Sequence, residues 1–348
     1  MSVLDGLTCP LPLEDYPRVL PAHGGGGTLM HRLIRDLFAA VFGEGLQDRT
    51  DAALLAVTGD RVAFTTDSFV VTPLEFPGGD IGSLAVHGTV NDLAMAGARP
   101  IALSAGFIIE EGLEMERLWR LTVSMKRAAD EVGVNIVTGD TKVVERGKGD
   151  GLYINTAGVG VFDHDPIPGP SAIEPGDRIL LSGDVGRHGT AVLAVRDGIN
   201  VAGDIESDSA PLVAPVRSLL EAGVELHALR DLTRGGLASA LYELARDSGH
   251  GMLLNEEAVP VSDPVAGFAE ILGFDPIHIA NEGRFIAVLP ERDAEKALTV
   301  LKTHPVSEKA TLAGEVLAGE AGRVLLRNPY GTTRILTLPS GEQLMRIC

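Results

Sequence analysis

Strand-like and helix-like segments alternate along this chain on both sides of a proline-rich stretch, and this alternation limits the folds available to it. In the first half, the hydrophobic patterns predict strands at 61–71, 101–109, 134–137 and 152–162, and helices at 81–97 and 114–132. Residues 163–175 contain four prolines and two aspartates, so we predict that they separate two domains.

The second half continues the alternation. Its predicted strands are 178–181, 283–289, 323–327 and 333–338, and its predicted helices are 211–222, 236–247 and 292–301. The pattern therefore predicts two lobes of the α/β type. We divide the chain into a segment 1–48 with a glycine-rich loop and a first helix, lobes at 49–165 and 172–338, and a tail at 339–348.

Acidic residues outnumber basic residues by 48 to 29, which gives a formal net charge of −19. A surface this acidic repels nucleic acid and anionic membranes, so we expect neither as a partner. No apolar run reaches the roughly 18 residues of a membrane helix, and the first residues lack the pattern of a signal peptide. Two cysteines cannot form a disulfide framework, and we expect a reduced, cytoplasmic protein.

One cysteine, Cys348, is the last residue of the sequence, and the other, Cys9, lies near its start. A terminal thiol on a flexible tail can carry a covalently bound group into an active site. The ending is not a prenylation box, because that motif needs three residues after the cysteine. The residues after Pro339 span at most about 30 Å when extended, which is enough to reach a cleft in the same subunit or a neighbour.

Four consecutive glycines, Gly24, Gly25, Gly26 and Gly27, come directly before the first predicted helix. Their backbone N–H groups and the helix N-terminus can wrap an anion such as a phosphate, although a flexible hinge would have the same sequence. The Walker A motif and the dinucleotide-binding glycine motif are both missing from the sequence. Any ATP site would therefore follow another plan.

Five aspartates stand at predicted turns, strand ends or apolar faces: Asp67, Asp80, Asp92, Asp140 and Asp231. Asp67 interrupts an apolar strand and Asp92 lies on a small, apolar helix face, where a carboxylate is costly to bury unless it is paired or metal-bound. Each alone is a weak indication, because aspartate is a common turn and capping residue. Together they would suit Mg²⁺ held by carboxylates and phosphate oxygens.

Four further polar residues are each open to two interpretations. Lys142 could hold a phosphate or act as a base, or it could be an ordinary surface lysine. Glu282 precedes a predicted strand and could be a turn residue. His87 and His188 are more often structural than catalytic in such contexts.

The most distinctive segments of the chain are 23–27, 65–68, 76–82, 88–92, 138–144, 230–236, 280–283 and 346–348. In this order they resemble the HypE family of hydrogenase maturation factors, which are carbamoyl dehydratases. That family belongs to the ATP-binding superfamily of aminoimidazole ribonucleotide synthetase and selenophosphate synthetase. The resemblance runs from about His23 to Cys348, with two departures: Met345 replaces a proline of the family, and Arg187 replaces an aspartate.

The resemblance implies a mixed α/β (α+β), PurM-like fold of two lobes, a homodimer formed through the sheet of the N-terminal lobe, and a flexible tail. It implies ATP and Mg²⁺ as cofactors. The carbamoyltransferase HypF would place a carbamoyl group on Cys348, and ATP-dependent dehydration would convert this group to a thiocyanate. The cyano group would then pass to the HypC–HypD scaffold and become a cyanide ligand of [NiFe] hydrogenase.

The superfamily pattern also implies roles for individual residues. The expected Mg²⁺ ligands are Asp67, Asp92 and Asp231. The expected catalytic residues are the carrier Cys348 and the candidates for orienting and deprotonating the thiocarboxamide, Lys142, Glu282 and His87. The expected nucleotide-binding residues are Asp67, Asp92, Gly24, Gly25, Gly26, Gly27, Asp80, Asn91, Gly139 and Asp140.

We also expect residues 340–348 to pack weakly against the body, because one enzyme must load the tail and another must unload it.

Two rival interpretations are possible. The chain could be another ATP-dependent enzyme of the same superfamily that phosphorylates a small molecule. It could also be an acidic scaffold that binds nucleotide without catalysing a reaction.

Overall fold

A computed structural model describes residues 16–24, 28–43, 55–57, 59–199, 204–337 and 347–348. We call the part up to residue 162 the N-lobe and residues 163–337 the C-lobe. Within the described ranges, no helix combines the length and apolarity that spanning a bilayer requires. Gly25, Gly26 and Gly27 of the glycine run lie outside the described residues, as do Cys9 and residues 338–346.

The N-lobe is built on a four-stranded sheet. Its elements are α1 (Thr28–Leu33), α2 (Ala39–Phe42), β1 (Val62–Phe69), β2 (Glu75–Phe76), β3 (Gly79–Asp80), α3 (Ile81–Met95), β4 (Arg99–Glu110), α4 (Met115–Val132), β5 (Asn135–Val144) and β6 (Leu152–Val161). A π-helical turn, Ile34–Phe38, joins α1 to α2. The sheet order is β1-β6-β4-β5, in which β4 and β5 run parallel and the other neighbours antiparallel. β2 and β3 form a separate short hairpin.

Side chains alternate across β1, and α3 covers one face of the N-lobe sheet where it packs on β1 and β6. On the covered face, Thr65 of β1 donates a hydrogen bond to Asp92 of α3. On the other face, which we call the open face, Phe64 is 70% exposed and Ile108 is 43% exposed. These two exposed apolar side chains lie on strands β1 and β4 of the same face.

The strand predicted at 134–137 is only the beginning of β5, which continues through residues 138–144. The extension pairs in parallel with β4. Gly139 permits the close approach of the two strands, because a Cβ atom there would lie 2.2 Å from the carbonyl oxygen of Ala105. Asp140 and Lys142 therefore lie within β5, and the expected position of Asp140 after the end of a strand is wrong.

The C-lobe contains a seven-stranded sheet with helices packed against it. Its elements are β7 (Arg178–Leu181), α5 (Arg187–Arg196), α6 (Val213–Glu221), β8 (Ala228–Asp231), α7 (Gly236–Ser248), β9 (Gly251–Asn255), α8 (Asp263–Leu272), β10 (Phe285–Leu289), α9 (Glu291–Leu301), β11 (Thr311–Leu317), β12 (Val324–Arg327) and β13 (Thr333–Ile335). The sheet order is β13-β12-β9-β11-β7-β10-β8, with β9 and β12 parallel and the other neighbours antiparallel.

The sequence patterns do not predict five of these elements, namely β8, β9, β11, α5 and α8. α5 is buried from His188 to Leu193, so it lacks the polar face that identifies an amphipathic helix. β9 is likewise buried at four of its five positions and shows no alternation. Burial on all sides removes the periodic signal on which the predictions depend.

The two lobes pack directly against each other. α3 of the N-lobe contacts α6 and β8 of the C-lobe, and Ala94 belongs to a buried cluster otherwise formed by the C-lobe. Conversely, Val192 and Ala280 of the C-lobe belong to the buried cluster of the N-lobe, together with Ile347. The lobe junction is therefore part of the core, and the chain terminus ends inside it.

Candidate active site at the lobe junction

The three predicted metal-binding aspartates lie around a cleft between the lobes. Asp67 is on β1, Asp92 is on α3, and Asp231 is the last residue of β8. The hydroxyl of Thr65 donates a 2.8 Å hydrogen bond to Oδ2 of Asp92. Thr65, Asp92, Arg230 and Asp231 are among the residues that line a cavity of about 310 Å³. The fold therefore brings together carboxylates that are far apart in the sequence.

Burial raises the pKa values of all three carboxyl groups, and repulsion between carboxylates adds to this for Asp92 and Asp231. Burial is the main cause for Asp92, and the nearby charge of Asp67 adds to it. For Asp231, burial together with the charges of Asp92 and Asp67 raises the pKa to about 7. Arg230 favours the ionised forms of Asp92 and Asp231, and Arg234 favours those of Asp67 and Asp92, but neither arginine cancels the shift.

Glu282 extends this acidic cluster on the C-lobe side. It precedes β10 and is only 3% exposed. Burial, followed by the charges of Asp231 and Asp208, raises its pKa well above the ordinary value. Its Oε1 atom is buried and has no hydrogen-bond partner among the described residues. A carboxyl group in this environment binds a proton tightly and has one oxygen atom available to a ligand.

The acidic cluster is not a preformed metal site. Among the residues that the structure describes, no three His, Cys, Asp or Glu side chains are arranged to hold a metal ion. The donor chemistry nevertheless fits Mg²⁺, because carboxylate oxygens are ligands that this ion prefers and a cation would relieve their repulsion. Phosphate oxygens would have to complete the coordination.

The last two residues of the chain end at the same junction. Ile347 is only 4% exposed, and its carbonyl oxygen lies 2.5 Å from Nε2 of His188. The carbonyl oxygen of Cys348 accepts a 3.2 Å hydrogen bond from the backbone N–H of Val70. Val70 is three residues beyond Asp67, and three extended residues span about 10 Å. The terminal main chain therefore lies near the acidic cluster.

The expected weak packing of the tail is wrong for these two residues. The apolar side chain of Ile347 is buried in the junction, and both terminal carbonyl groups have hydrogen-bond donors. Weak packing was expected because one enzyme must load the tail and another must unload it. That expectation does not reveal that the rest of the fold provides a complementary pocket for the end.

Asp80 and Asn91, which were expected at the nucleotide, have side chains that support the fold. Oδ1 of Asp80 caps α3 by accepting a 2.8 Å hydrogen bond from the backbone N–H of Gly82. The amide of Asn91 bridges the lobes by donating to the carbonyl of Ala210 and accepting from the N–H of Leu212. Any contact of these two residues with a nucleotide would be additional to these roles.

His87 also connects the lobes. Its Nδ1 atom lies 3.0 Å from the hydroxyl oxygen of Ser209, and its Nε2 atom is buried without a hydrogen-bond partner among the described residues. Burial lowers the pKa of His87 to about 4. The ring is therefore neutral at physiological pH and is a weak base.

A second group of predicted site residues lies on the open face of the N-lobe sheet. Asp140 and Lys142 are on edge strand β5, where Nζ of Lys142 lies 2.8 and 2.7 Å from the two carboxylate oxygens of Asp140. The side chain of Lys142 is 61% exposed and that of Asp140 is 64% exposed. Gly24 packs on the same strand, where a Cβ atom would lie 2.6 Å from the backbone nitrogen of Val143. The sheet itself stands between the side chains of Asp140 and Lys142 and the acidic cluster.

Comparison with known proteins identifies both lobes. Residues 49–162 match the family described as AIR synthase related protein, N-terminal domain, and residues 174–327 match the corresponding C-terminal domain. The chain is 51% identical over 327 residues to carbamoyl dehydratase HypE of Azotobacter vinelandii, covering 94% of this chain and 96% of the relative. This chain belongs to the HypE family.

Solved HypE structures have the same fold. The crystal structure of hydrogenase maturation protein HypE in complex with ATP matches with a TM-score of 0.91 and 50% identity, covering 94% of this chain and 99% of that chain. A HypE–HypF complex matches with a TM-score of 0.78 and 44% identity, covering 90% and 100% respectively. The two-lobed, mixed α/β, PurM-like fold expected from the sequence is therefore confirmed.

The sequence patterns did not single out Ser207 and Asp208. Both residues contact His188, which in turn contacts the docked terminus of this HypE family member. The hydroxyl oxygen of Ser207 lies 2.8 Å from Nδ1 of His188, and Oδ1 of Asp208 accepts a 3.0 Å hydrogen bond from the backbone N–H of His188. The nearest sequence signal is His188 between its glycine neighbours, a context in which histidine is more often structural than catalytic. Ser207 and Asp208 belong to an irregular linker that carries no periodic pattern.

Proposed function

We propose that this chain is an ATP-dependent carbamoyl dehydratase that acts on its own C-terminal residue. It converts an S-carbamoyl group on Cys348 into an S-cyanate, which supplies the cyanide ligands of the [NiFe] hydrogenase iron centre. The relatives named carbamoyl dehydratase HypE support this activity. The observation that carries the proposal is the burial of Ile347 at the lobe junction, because it holds Cys348 near the acidic cluster.

The reaction removes the elements of water from a thiocarboxamide. The amide oxygen attacks the γ-phosphorus of ATP and displaces ADP, since this oxygen is a poor leaving group until it is phosphorylated. The nitrogen then loses both of its protons, the C–O bond breaks and inorganic phosphate departs. The product is a nitrile on the same sulfur atom. The site must therefore stabilise the charge on the transferring phosphoryl group and accept protons.

Among the three candidate bases, Glu282 has the most suitable environment. Burial and neighbouring carboxylates raise its pKa, so its ionised form binds a proton more tightly than an ordinary carboxylate does. His87 is a weak base because burial lowers its pKa to about 4. Lys142 pairs with Asp140 on the open face of the N-lobe sheet, away from the docked terminus, so we assign Lys142 to holding a phosphate of the nucleotide.

We assign Asp67, Asp92 and Asp231 as the side chains that would hold Mg²⁺. Their carboxylate oxygens have the right chemistry, and repulsion from the other carboxylates contributes to the raised pKa values of Asp92 and Asp231. When bound, the ion would supply positive charge against the phosphate oxygens. The protein's own contribution is to keep these carboxylates at one cleft and to shield them from water.

We further propose a homodimer that forms through the open face of the N-lobe sheet. Phe64 and Ile108 expose apolar surface on this face, and Lys142 is the direct neighbour of Ile108 in the register of β4 and β5. Pairing two copies here would bury the apolar surface. It would also give Asp140 and Lys142 a shared interface at which a nucleotide can bind.

HypF and the HypC–HypD scaffold are the proposed partners before and after the reaction. A related HypE chain has been solved in a HypE–HypF complex. Both partners need access to the sulfur of Cys348, so the terminus must leave the junction and return in each cycle. We expect this exchange to occur in the cytoplasm, where the thiol stays reduced.

Intact-mass measurement of the full-length chain tests the proposed function. The protein is incubated with Mg-ATP, carbamoyl phosphate and HypF. We expect a carbamoyl adduct first and then a product lighter by one water, and Cys348→Ala should give neither. A wild-type chain that is carbamoylated but never dehydrated would refute the proposal. ATP turnover by Cys348→Ala with a soluble phosphorylated product would favour the small-molecule kinase interpretation.

A further inference from the structure

A relay of hydrogen bonds beneath the docked terminus fixes the tautomer of His188. The carbonyl group of Ile347 can only accept a hydrogen bond, so Nε2 of His188, which lies 2.5 Å away, carries the proton. Nδ1 is then an acceptor, and the hydroxyl of Ser207 donates to it at 2.8 Å. The Ser207 oxygen in turn accepts a 3.0 Å hydrogen bond from the backbone N–H of Ser209. Each group therefore has the donor or acceptor role that its neighbour requires.

The ring of His188 is also held rigidly. It is fully buried, and Phe76 packs against it edge-on with ring centroids 5.3 Å apart. Its backbone N–H donates to Asp208 at the start of α5. The ring is held through both of its nitrogens and through its contact with Phe76, and the backbone of His188 is held by Asp208. The ring therefore cannot turn without losing several contacts. It therefore presents its Nε2 proton at one point in the lobe junction.

Ser207, which orients the ring, is itself held by both lobes. Arg187 of the C-lobe donates to the carbonyl oxygens of Glu206 and Ser207 at 3.2 and 3.4 Å. The backbone N–H of Ser207 donates a 2.8 Å hydrogen bond to the carbonyl of Pro77 in the N-lobe. A Cβ atom on Gly78 would lie only 2.8 Å from the Ser207 nitrogen, so this contact requires a glycine. Arg187, which departs from the family pattern, thus supports the same relay.

The linker that carries Ser207 also contacts the neighbours of the proposed bases. Oδ2 of Asp208 accepts a 3.1 Å hydrogen bond from the backbone N–H of Gly283, the residue after Glu282. The hydroxyl oxygen of Ser209 lies 3.0 Å from Nδ1 of His87. The terminus and the acidic cluster are therefore positioned by one short segment of chain.

We propose that His188 is a positioning residue that holds the loaded terminus in the junction for dehydration, and that Ser207 fixes the tautomer it needs. This inference rests on the proposed function and adds the interaction that holds the loaded terminus in the junction. His188 holds the carbonyl of Ile347, the N–H of Val70 holds the carbonyl of Cys348, and the loaded sulfur belongs to the residue between these contacts. His188 does not touch the reacting atoms. It changes the fraction of chains whose terminus is docked.

The test compares Ser207→Ala and His188→Gln with a matched control, Ser218→Ala. The hydroxyl oxygen of Ser218 makes a similar 2.9 Å contact with a histidine ring, that of His304, away from the terminus. All variants carry Cys9→Ser, so that Cys348 is the only thiol. Three quantities are measured on the full chain: the yield of carbamoyl loading by HypF, the single-turnover rate of cyanylation with Mg-ATP, and the rate at which iodoacetamide alkylates the unloaded thiol.

We expect Ser207→Ala to slow cyanylation and to speed alkylation by similar factors of about two- to tenfold, which is the range for one hydrogen bond. Carbamoyl loading should not fall, because HypF needs the terminus undocked. His188→Gln should be less impaired than His188→Leu, because its amide can still donate to Ile347. Ser218→Ala should match the wild type in all three measurements.

The outcomes separate this inference from the proposed function. If the wild type is cyanylated, and Ser207→Ala and His188→Gln cyanylate and alkylate at wild-type rates, His188 does not position the terminus. Slower cyanylation with unchanged alkylation would also overturn the inference, because the defect would then lie in the chemistry and not in docking. A wild-type chain that is loaded but never cyanylated would refute the proposed function instead. Because Ser207→Ala removes a single oxygen atom, it decides the question even if a substitution of the buried His188 prevents folding.

Discussion

Truncating Ile347 to alanine tests whether the terminus docks through its apolar side chain. Ile347 is 4% exposed and shares a buried cluster with Val192 and Ala280. The substitution removes three buried carbon atoms, which costs about 2.4 kcal/mol at about 0.8 kcal/mol for each group. Since about 1.4 kcal/mol corresponds to a factor of ten, the docking equilibrium constant should fall about 50-fold.

The alkylation rate of Cys348 in a Cys9→Ser background measures this change. In the docked terminus Cys348 is only partly exposed, so its thiol reacts more slowly than in the undocked terminus. While the docked state dominates, the alkylation rate is proportional to the undocked fraction. It should therefore rise by the same factor of about 50, up to the rate of a short peptide with the same ending. The terminus can leave without unfolding either lobe, so the melting temperature should hardly change.

The matched control for this experiment is Ile335→Ala on β13, where the same substitution affects a side chain that is 53% exposed. It should change neither alkylation nor melting. The docking interpretation is refuted if Ile347→Ala leaves the alkylation rate unchanged. It is also refuted if the free energy of unfolding falls by about 2 kcal/mol without faster alkylation, because Ile347 would then be an ordinary core residue.

Three other predictions concern the metal site, the phosphate site and the stability of the C-lobe. Asp92→Asn should lower ATP turnover by about 100-fold or more in a steady-state assay, because it removes a charge from the proposed Mg²⁺ ligands. Lys142→Ala should leave Mg-ATP binding measurable by calorimetry but block cyanylation as followed by intact mass. Burial lowers the pKa of His227, but hydrogen bonds with Asp177 and Glu225 raise it overall, so the folded state binds the proton more tightly. The stabilisation by His227 should be complete below its ordinary pKa of 6.5 and should disappear as the pH rises through the raised value, as measured by unfolding the wild type and His227→Gln.

Each of these predictions has a clear contrary result. Unchanged ATP turnover in Asp92→Asn would remove that residue from the metal site. Normal cyanylation in Lys142→Ala would exclude a chemical role for the lysine. A stability difference between the wild type and His227→Gln that stays constant across neutral pH would show that the histidine gains nothing from its carboxylate partners.

Local patterns predicted several elements that have one buried and one exposed side, although they missed α8. α4 is amphipathic and β1 alternates, so both were predicted to within a few residues. α5 and β9 are buried on nearly all sides, and the same patterns missed them. The end of β5 was misplaced because a glycine inside a strand resembles a turn, while its pairing with β4 depends on a partner far away in the sequence.

The candidate site shows the same limit. The sequence identified Asp67 and Asp92 as unusual because a carboxylate in an apolar context is costly wherever it lies, and the family resemblance added Asp231. It could not reveal that Lys142 is on the opposite side of the N-lobe sheet from the acidic cluster, because the strand order is not a local property. The shift in the pKa of Glu282 likewise depends on neighbours contributed by both lobes.

By itself, the sequence determined the alternation of strands and helices in two lobes, the order of the glycine and aspartate motifs, and the cysteine at its last position. These features depend on local periodicity and residue order. Only the tertiary structure decided that Ile347 is buried, that Ser207 orients His188, and that the acidic groups share one cleft. The physical reason is that burial, hydrogen-bond partners and electrostatic repulsion depend on which distant segments pack together, and periodicity within a segment carries no information about that packing.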